Sequence, residues 1–160
     1  MGQNHGMDSI PARVTVRSKL AVSPEELWQS VASAEGVNHE MGPWLRFVPP
    51  AGENLLEAAG RGEVLKLKIR GPLGIPLGNY PLRLVRLEEG RGFLEQTQML
   101  PCLLWQHERT IEAEGDGTVI TDRLGWRWKL RLLDPLLSPG VGVFFRHRHR
   151  KLRSRFGIRS

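Results

Sequence analysis

The chain has 160 residues, 40% of them hydrophobic and 25% charged, with 18 Gly, 11 Pro and a single Cys. That length fits one domain with a real core. Cys102 alone excludes an intramolecular disulfide or a multi-cysteine metal site, and no apolar run approaches the ~20 residues of a membrane-spanning helix. The formal net charge of +6 is local: residues 146–160 hold seven Lys or Arg and no acid, whereas the rest of the chain holds 16 basic and 17 acidic residues.

The polar start, MGQNHGMDSI, lacks the charged-then-apolar plan of a signal peptide, so residues 1–9 read as a flexible tail and the protein as cytoplasmic. Residues 10–157 then read as one domain and 158–160 as its C-terminal end. Val14 and Val16 alternate with Arg13, Thr15 and Arg17, which predicts a strand over 12–20. In Ser23-Pro24-Glu25-Glu26, Ser23 can cap a helix, Pro24 suits its first position and Glu26 completes a capping box. That helix runs out near Gly36, and a second short helix or turn over 37–42 stops at Pro43.

Strand-like patterns follow to about residue 131. Leu65, Leu67 and Ile69 share one face, with Lys66, Lys68 and Arg70 on the other. Residues 79–87 and 93–99 predict two more strands around a turn at 88–92. The clearest hairpin joins 103–113 to 118–130 through Glu114-Gly115-Asp116-Gly117. Asp134-Pro135 and Ser138-Pro139 offer two helix starts. Val141, Phe145, His149, Leu152 and Phe156 then form one helical face, which predicts a helix from 139 to about 156. Gly140 and Gly142 weaken its start, each costing ~1 kcal/mol relative to Ala.

The order is strand, two short helices, an antiparallel meander and a closing helix, an α+β arrangement in which only that helix is long enough to cover the sheet. Three segments carry a resemblance to a known family: the strand Leu103-Leu104-Trp105-Gln106-His107, the strand start Thr121-Asp122-Arg123, and the helix Phe145-x-x-Arg148-His149-x-x-Leu152. With the opening Val14-x-Val16 and Ser23-Pro24-Glu25-Glu26-Leu27-Trp28, residues 12 to 156 resemble the SRPBCC superfamily. This helix-grip group includes START lipid-transfer domains, birch-pollen-allergen-like proteins and polyketide cyclase/dehydrase-like bacterial proteins. The resemblance implies a curved antiparallel sheet of six or seven strands wrapped around the C-terminal helix, with an apolar ligand cavity between them. It does not imply one activity, since members bind lipids, hormones and polyketides and some catalyse.

If Gly115-Asp116 is the hairpin turn, paired residues sum to 231. Trp105 then faces Trp126, His107 faces Leu124 and Arg109 faces Asp122, on the apolar face with Leu103, Ile111, Ile120, Trp128 and Leu130. His149 and Phe145 join them from the helix, and Glu95 from the neighbouring strand. Three readings stay open. The polar members can anchor a ligand oxygen in an apolar pocket. His107 or His149 can move a proton with Asp122 or Glu95 orienting the ring. Alternatively, Arg109–Asp122 is a structural ion pair that satisfies its own buried charge.

Neither a metal nor a nucleotide cofactor is implied: His147 and His149 point in different directions on a helix, His39-Glu40 lacks a second His, and Gly71-Pro72-Leu73-Gly74 lacks the Lys of a phosphate loop. Cys102 has no basic neighbour to activate it.

Three apolar loops, 71–78, 99–102 and 132–137, fall at one end of the meander. Leu73, Ile75, Leu77, Leu100 and Leu136 should form a cavity mouth there, a surface that could touch a membrane transiently or pair two copies of the chain. The expected partner is a hydrophobic or amphipathic small molecule that is lipid-, polyketide- or isoprenoid-like. The rivals are a cyclase or dehydratase using His/Asp acid–base chemistry, and a basic-tailed binder of nucleic acid or anionic membrane. No specific nucleic acid is expected, because no groove-reading motif or aromatic platform accompanies the basic end.

Overall fold

A computed structural model describes residues 10–49, 55–60, 63–99 and 102–159. The first strand, β1 (Val14–Leu20), leads into α1 (Pro24–Ala32) and α2 (Ala34–Met41). Ser23 caps α1 by accepting from the Glu26 backbone N–H at 3.2 Å. Ser33 explains why the helices stay separate: its N–H bonds back to Ser30, closing α1, while its hydroxyl accepts from Gly36 and opens α2. Gly36 is required at this corner, because a Cβ there would sit 2.0 Å from the Ser30 carbonyl oxygen.

The strands β2 (Arg46–Val48), β3 (Leu65–Arg70) and β4 (Pro76–Leu82) form a three-stranded antiparallel sheet in that order, and α3 (Leu55–Gly60) precedes β3. A five-stranded sheet takes the order β1-β8-β7-β6-β5, with β5 (Leu84–Glu88), β6 (Gly92–Met99), β7 (Cys102–Glu114) and β8 (Gly117–Trp128). Every pairing is antiparallel. The strand expected over 79–87 is thus two strands: the chain leaves one sheet at Leu82 and joins the other at Leu84. The segment 46–60 adds a strand and a helix that hydrophobic alternation does not reveal, since β2 is only three residues long.

The β7–β8 turn has a positive φ (60°) at Gly115, the first of its two central residues, as a type II′ hairpin turn requires. From that turn outward the pairing follows the expected register, with Trp105 opposite Trp126, His107 opposite Leu124 and Arg109 opposite Asp122. Near the open end the ladder slips between Cys102 and Leu104, and β6–β7 slips between Thr97 and Met99. Such bulges bend a strand and turn side chains over. Leu103, expected on the apolar face, is therefore exposed while Cys102 and Leu104 are buried. Cys102 lies in β7 rather than in a loop. Leu130, past the end of β8, is exposed too.

The closing helix, α4 (Asp134–Phe156), starts one turn earlier than expected, at Asp134-Pro135, and carries Pro139 inside it. Trp126 Nε1 donates to Asp134 Oδ1 (3.0 Å) and Ser138 Oγ (2.9 Å), which ties the first turn of the helix to β8. Hydrogen bonds from Ser138, Arg13 and Trp126 pull the partly exposed Asp134 carboxyl down to about 2. Phe145, His149 and Leu152 are buried on the face toward the sheet, flanked by half-buried Val141 and Phe156. After Gly157 the chain returns to β1, where Ile158 bridges Leu20 and the Arg159 N–H reaches the Lys19 carbonyl.

The expected helix-grip architecture is what the chain adopts, with eight strands among the described residues, in two sheets rather than in one sheet of six or seven. Among the described residues, no helix is long and apolar enough to cross a membrane.

Candidate functional site

Alternation along β7 and β8 turns His107, Arg109 and Asp122 toward α4, and α4 brings His149 and Arg148 to meet them. Asp122 is completely buried and accepts four hydrogen bonds. Oδ1 receives Arg109 Nε (2.7 Å) and faces His107 Nε2 (3.0 Å). Oδ2 receives Arg109 Nη2 (2.7 Å) and faces His149 Nε2 (3.1 Å). An acceptor-only carboxylate requires the proton on Nε2 of both imidazoles. His149 Nδ1 then accepts from the Ser18 hydroxyl at 2.8 Å, and that hydroxyl accepts from Arg153 Nη1 at 2.9 Å.

The far side of Arg109 reaches Glu40, also completely buried, through Nη1 to Oε1 and Nη2 to Oε2, both 3.0 Å. Glu40 Oε2 also accepts from Arg148 Nε (3.1 Å) and Nη2 (2.8 Å). Two guanidiniums and two carboxylates therefore alternate as Asp122–Arg109–Glu40–Arg148. Glu40 stands in the last turn of α2, where the helix dipole disfavours an anion, so its burial there depends on the two arginines. Beyond His107, Glu95 Oε2 stands 3.6 Å from Nδ1, too long for a hydrogen bond. Glu95 Oε1 accepts from the Tyr80 hydroxyl and, at 3.3 Å, from Thr97 Oγ1.

Burial pushes the Asp122 carboxyl up, but the charge and hydrogen bonds of Arg109, with His107 beside it, hold it well below the usual carboxylate range. Burial likewise opposes ionisation of Glu40, and Arg109 and Arg148 together outweigh it, leaving that carboxyl lowered. Burial opposes the charge of Arg109 as well, yet Asp122 and Glu40 keep it more firmly protonated than a free arginine. Burial and the adjacent Glu95 push the Tyr80 phenol well above its ordinary value. Burial also raises the Cys102 thiol, whose Sγ donates to the Leu104 carbonyl.

Next to this cluster lies a cavity of about 550 Å³ between the two sheets, α2, α3 and the first half of α4. Its wall is mostly apolar, including Val37, Met41, Leu56, Leu82, Leu84, Phe93 and Phe144, and its polar members are Tyr80, His107, Arg109 and Arg148. His107 is held edge-on between Phe93 and Phe145, with ring centroids 5.1 and 5.0 Å away, and the Arg148 guanidinium lies 4.8 Å over the Phe145 ring.

Of the residues expected at a ligand site, Trp105, His107, Arg109 and Phe145 line this cavity. Glu95, Asp122, Trp126 and His149 do not. Asp122 and His149 sit behind Arg109 and His107, Glu95 is covered by the Tyr80 hydroxyl, and Trp126 turns its indole N–H to α4 while stacking on Trp105 at 6.4 Å.

The residues expected at the mouth lie apart from the cavity wall. Leu73, Ile75, Leu77 and Leu136 are exposed but line no part of the cavity, and Leu100 falls outside the described residues. The β3–β4 hairpin carries Leu73, Ile75 and Leu77 past the sheet. On the first turns of α4, Leu136 points outward because its neighbour Leu137 points in. The partly exposed lining at this end is instead Met99, Trp128, Leu137, Gly140 and Val141.

A family model described as a domain of unknown function, DUF8410, matches residues 18–156. The chain belongs to the DUF8410 family. No curated protein matches its sequence. Among solved structures, a START superfamily protein from Mycobacterium smegmatis superposes with a TM-score of 0.65 at 20% identity, covering 89% of this chain and 95% of that one. A protein from Chromobacterium violaceum gives 0.66 at 10% identity, covering 91% and 97%. Ara h 8.0201 gives 0.57 at 11% identity, covering 88% and 97%. These likenesses establish that this chain has a helix-grip, START-like fold.

Within this DUF8410 domain, reading the sequence missed Glu40, Arg148, Tyr80 and Ser18 as members of the cluster. Glu40 offered little signal, because α2 is short and weakly patterned. Arg148 stood beside His149 in the recognised helix segment, and its basic neighbours made it look like part of a solvated run.

Proposed function

We propose that the domain holds an apolar or amphipathic small molecule, lipid-, polyketide- or isoprenoid-like, in the cavity between the sheets and α4. One observation carries this reading: about 550 Å³ of space with an almost wholly apolar wall beside charges that already satisfy one another. That size lies within the range of small-molecule pockets, which pair apolar walls with a few placed polar groups. Acid–base catalysis by Asp122 fits less well, since all four of its acceptor positions are filled.

The basic-tail reading also loses support: Arg148 is committed to Glu40, Arg153 to Ser18 and Arg159 to Asp116. The exposed Leu73, Ile75 and Leu77 remain suited to a passing membrane contact or to a second copy of the chain, beside the mouth rather than in it.

Titration with Nile red, an uncharged apolar dye, tests the reading. One dye per chain should bind with increased emission, and Val141→Trp, which puts a ring into the cavity from a half-buried position, should abolish binding at an unchanged melting temperature. Undiminished binding to Val141→Trp would remove the cavity as the site.

A further inference from the structure

Apolar surface is exposed where the sheet hands over to α4. Leu132 is 89% exposed and Leu136 74%, and Leu103 and Leu130 also face solvent. Leu132 stands in a short helical turn, Arg131–Leu133, that runs directly into α4, so Leu132 and Leu136, four residues apart, share a face. Val143 continues that face along α4 and is exposed too. Leucines exposed this close together mark an interaction surface rather than scattered surface residues.

Cations border it. Leu103, Arg127, Lys129 and Arg131 line one surface groove, and these three basic side chains make no ion pair or hydrogen bond among the described residues. After Asp122 the sequence has a single acid, Asp134, and its carboxylate is taken by Arg13 at 2.6 Å. The surface also adjoins the cavity through the chain itself. Trp128 lies between Arg127 and Lys129, Leu137 follows Leu136, and both Trp128 and Leu137 are partly exposed members of the cavity wall. The β3–β4 hairpin exposes Leu73 and Ile75 as well, but none of their neighbours in the chain lines the cavity.

A lipid surface matches this chemistry better than a protein partner does. Leucine is under-represented among the residues that anchor protein interfaces. Exposed leucines beside unpaired Lys and Arg suit an anionic bilayer, where apolar side chains enter the boundary of headgroups and acyl chains and cations meet the lipid phosphates.

We infer that this end of the domain docks on anionic membrane, with the four leucines in the headgroup layer and Arg127, Lys129 and Arg131 on lipid phosphates, which sets the cavity mouth against the bilayer. Docking stands on the exposed surface alone; passage of an apolar ligand between bilayer and cavity rests on the proposed ligand-binding function.

Co-sedimentation with sucrose-loaded phosphatidylcholine vesicles, with and without one part in three of phosphatidylglycerol, tests it. The protein should bind the anionic vesicles and release them at high salt. Each Lys or Arg near such a surface contributes about fivefold in binding, so Arg127→Gln with Lys129→Gln and Arg131→Gln should weaken it about a hundredfold. Leu132→Ser with Leu136→Ser should weaken it at least about tenfold. Both variants change exposed side chains and should melt and bind Nile red as the unaltered protein does. Leu73→Ser with Ile75→Ser on the hairpin, and Arg150→Gln with Arg155→Gln at the far end of α4, should leave vesicle binding nearly unchanged.

Equal binding to the two vesicle types overturns the inference, as does binding that the hairpin or helix-end variant abolishes while the two docking variants keep it. A dimer in sedimentation equilibrium that Leu132→Ser with Leu136→Ser dissolves would also overturn it, because a second copy would then cover the leucines. Nile red binding without vesicle binding removes docking alone. Vesicle binding without Nile red binding removes the ligand reading and leaves docking in place.

Discussion

The two halves of α4 share one backbone ladder and differ in nearly everything their side chains touch. From Asp134 to Phe144 only Gly142 is buried, Leu136 and Val143 face solvent, and the segment carries Pro139, Gly140 and Gly142. From Phe145 to Phe156 the helix buries Phe145, Arg148, His149 and Leu152, and its polar groups reach Glu40, Asp122 and Ser18. Pro139 removes a backbone donor, and each glycine lowers helix propensity. The first half therefore depends on the Asp134 and Ser138 contacts to Trp126, and it contributes cavity wall. The second half holds the sheet in place. Grip and cavity wall thus overlap on this helix only at Phe145 and Arg148, and substitutions elsewhere in the two halves should separate stability from binding.

The largest effect is expected at the buried charges. Asp122→Ala leaves one side of Arg109 and the Nε2–H groups of His107 and His149 without their acceptor and should cost roughly 3–5 kcal/mol in urea unfolding. Arg109→Met with Asp122→Leu leaves Glu40 paired with Arg148 and should cost less. Equal losses would mean that the ion pair is not what sets the second half apart.

Leu152→Ala empties a fully buried position and should cost about 2–5 kcal/mol. Leu137→Ala, in the half-buried first half, should cost under about 1 kcal/mol while weakening Nile red binding. A reversed order would break the division.

Acid should act mainly through the second half. Asp122 and Glu40 have lowered values when folded, so their contribution is intact above about pH 5. It declines as the unfolded carboxyls take up protons and is lost as pH falls through the lowered folded values. The Arg109→Met/Asp122→Leu variant should show a flatter loss below about pH 4. At the other extreme the raised Tyr80 favours the folded state below about pH 10. That contribution disappears as pH rises through its folded value, and Tyr80→Phe should remove the slope.

The smallest effect runs the other way. A Cβ at Gly140 meets nothing within 4 Å, so Gly140→Ala should stabilise the first half by about 0.5–1 kcal/mol. Unchanged melting would show that helix propensity does not limit this segment.

Much of the cluster was legible because β7 and β8 are long and joined by a two-residue turn. Period-two alternation and the Gly115-Asp116 turn are enough to set Arg109 opposite Asp122 and to aim both inward. The buried face of α4 followed from the spacing of Phe145, His149 and Leu152. Expectations failed where the backbone breaks its own period. The slip between Cys102 and Leu104 turned Leu103 out to solvent, and the passage between sheets at Arg83 cut one expected strand in two. Composition also could not separate the exposed leucines of the projecting hairpin from leucines that line the cavity.

Local chemistry by itself determined the longer elements and most of their inward faces, because capping, alternation and helical spacing act over a few residues. The identity of the charge cluster was decided only by tertiary structure. Glu40, Arg109, Asp122 and Arg148 come from α2, β7, β8 and α4, and each is unfavourable to bury alone. A charge becomes tolerable in the core only once its partners arrive from other elements. Which residues those are depends on how α4 crosses the sheet, and no stretch of the sequence carries that information.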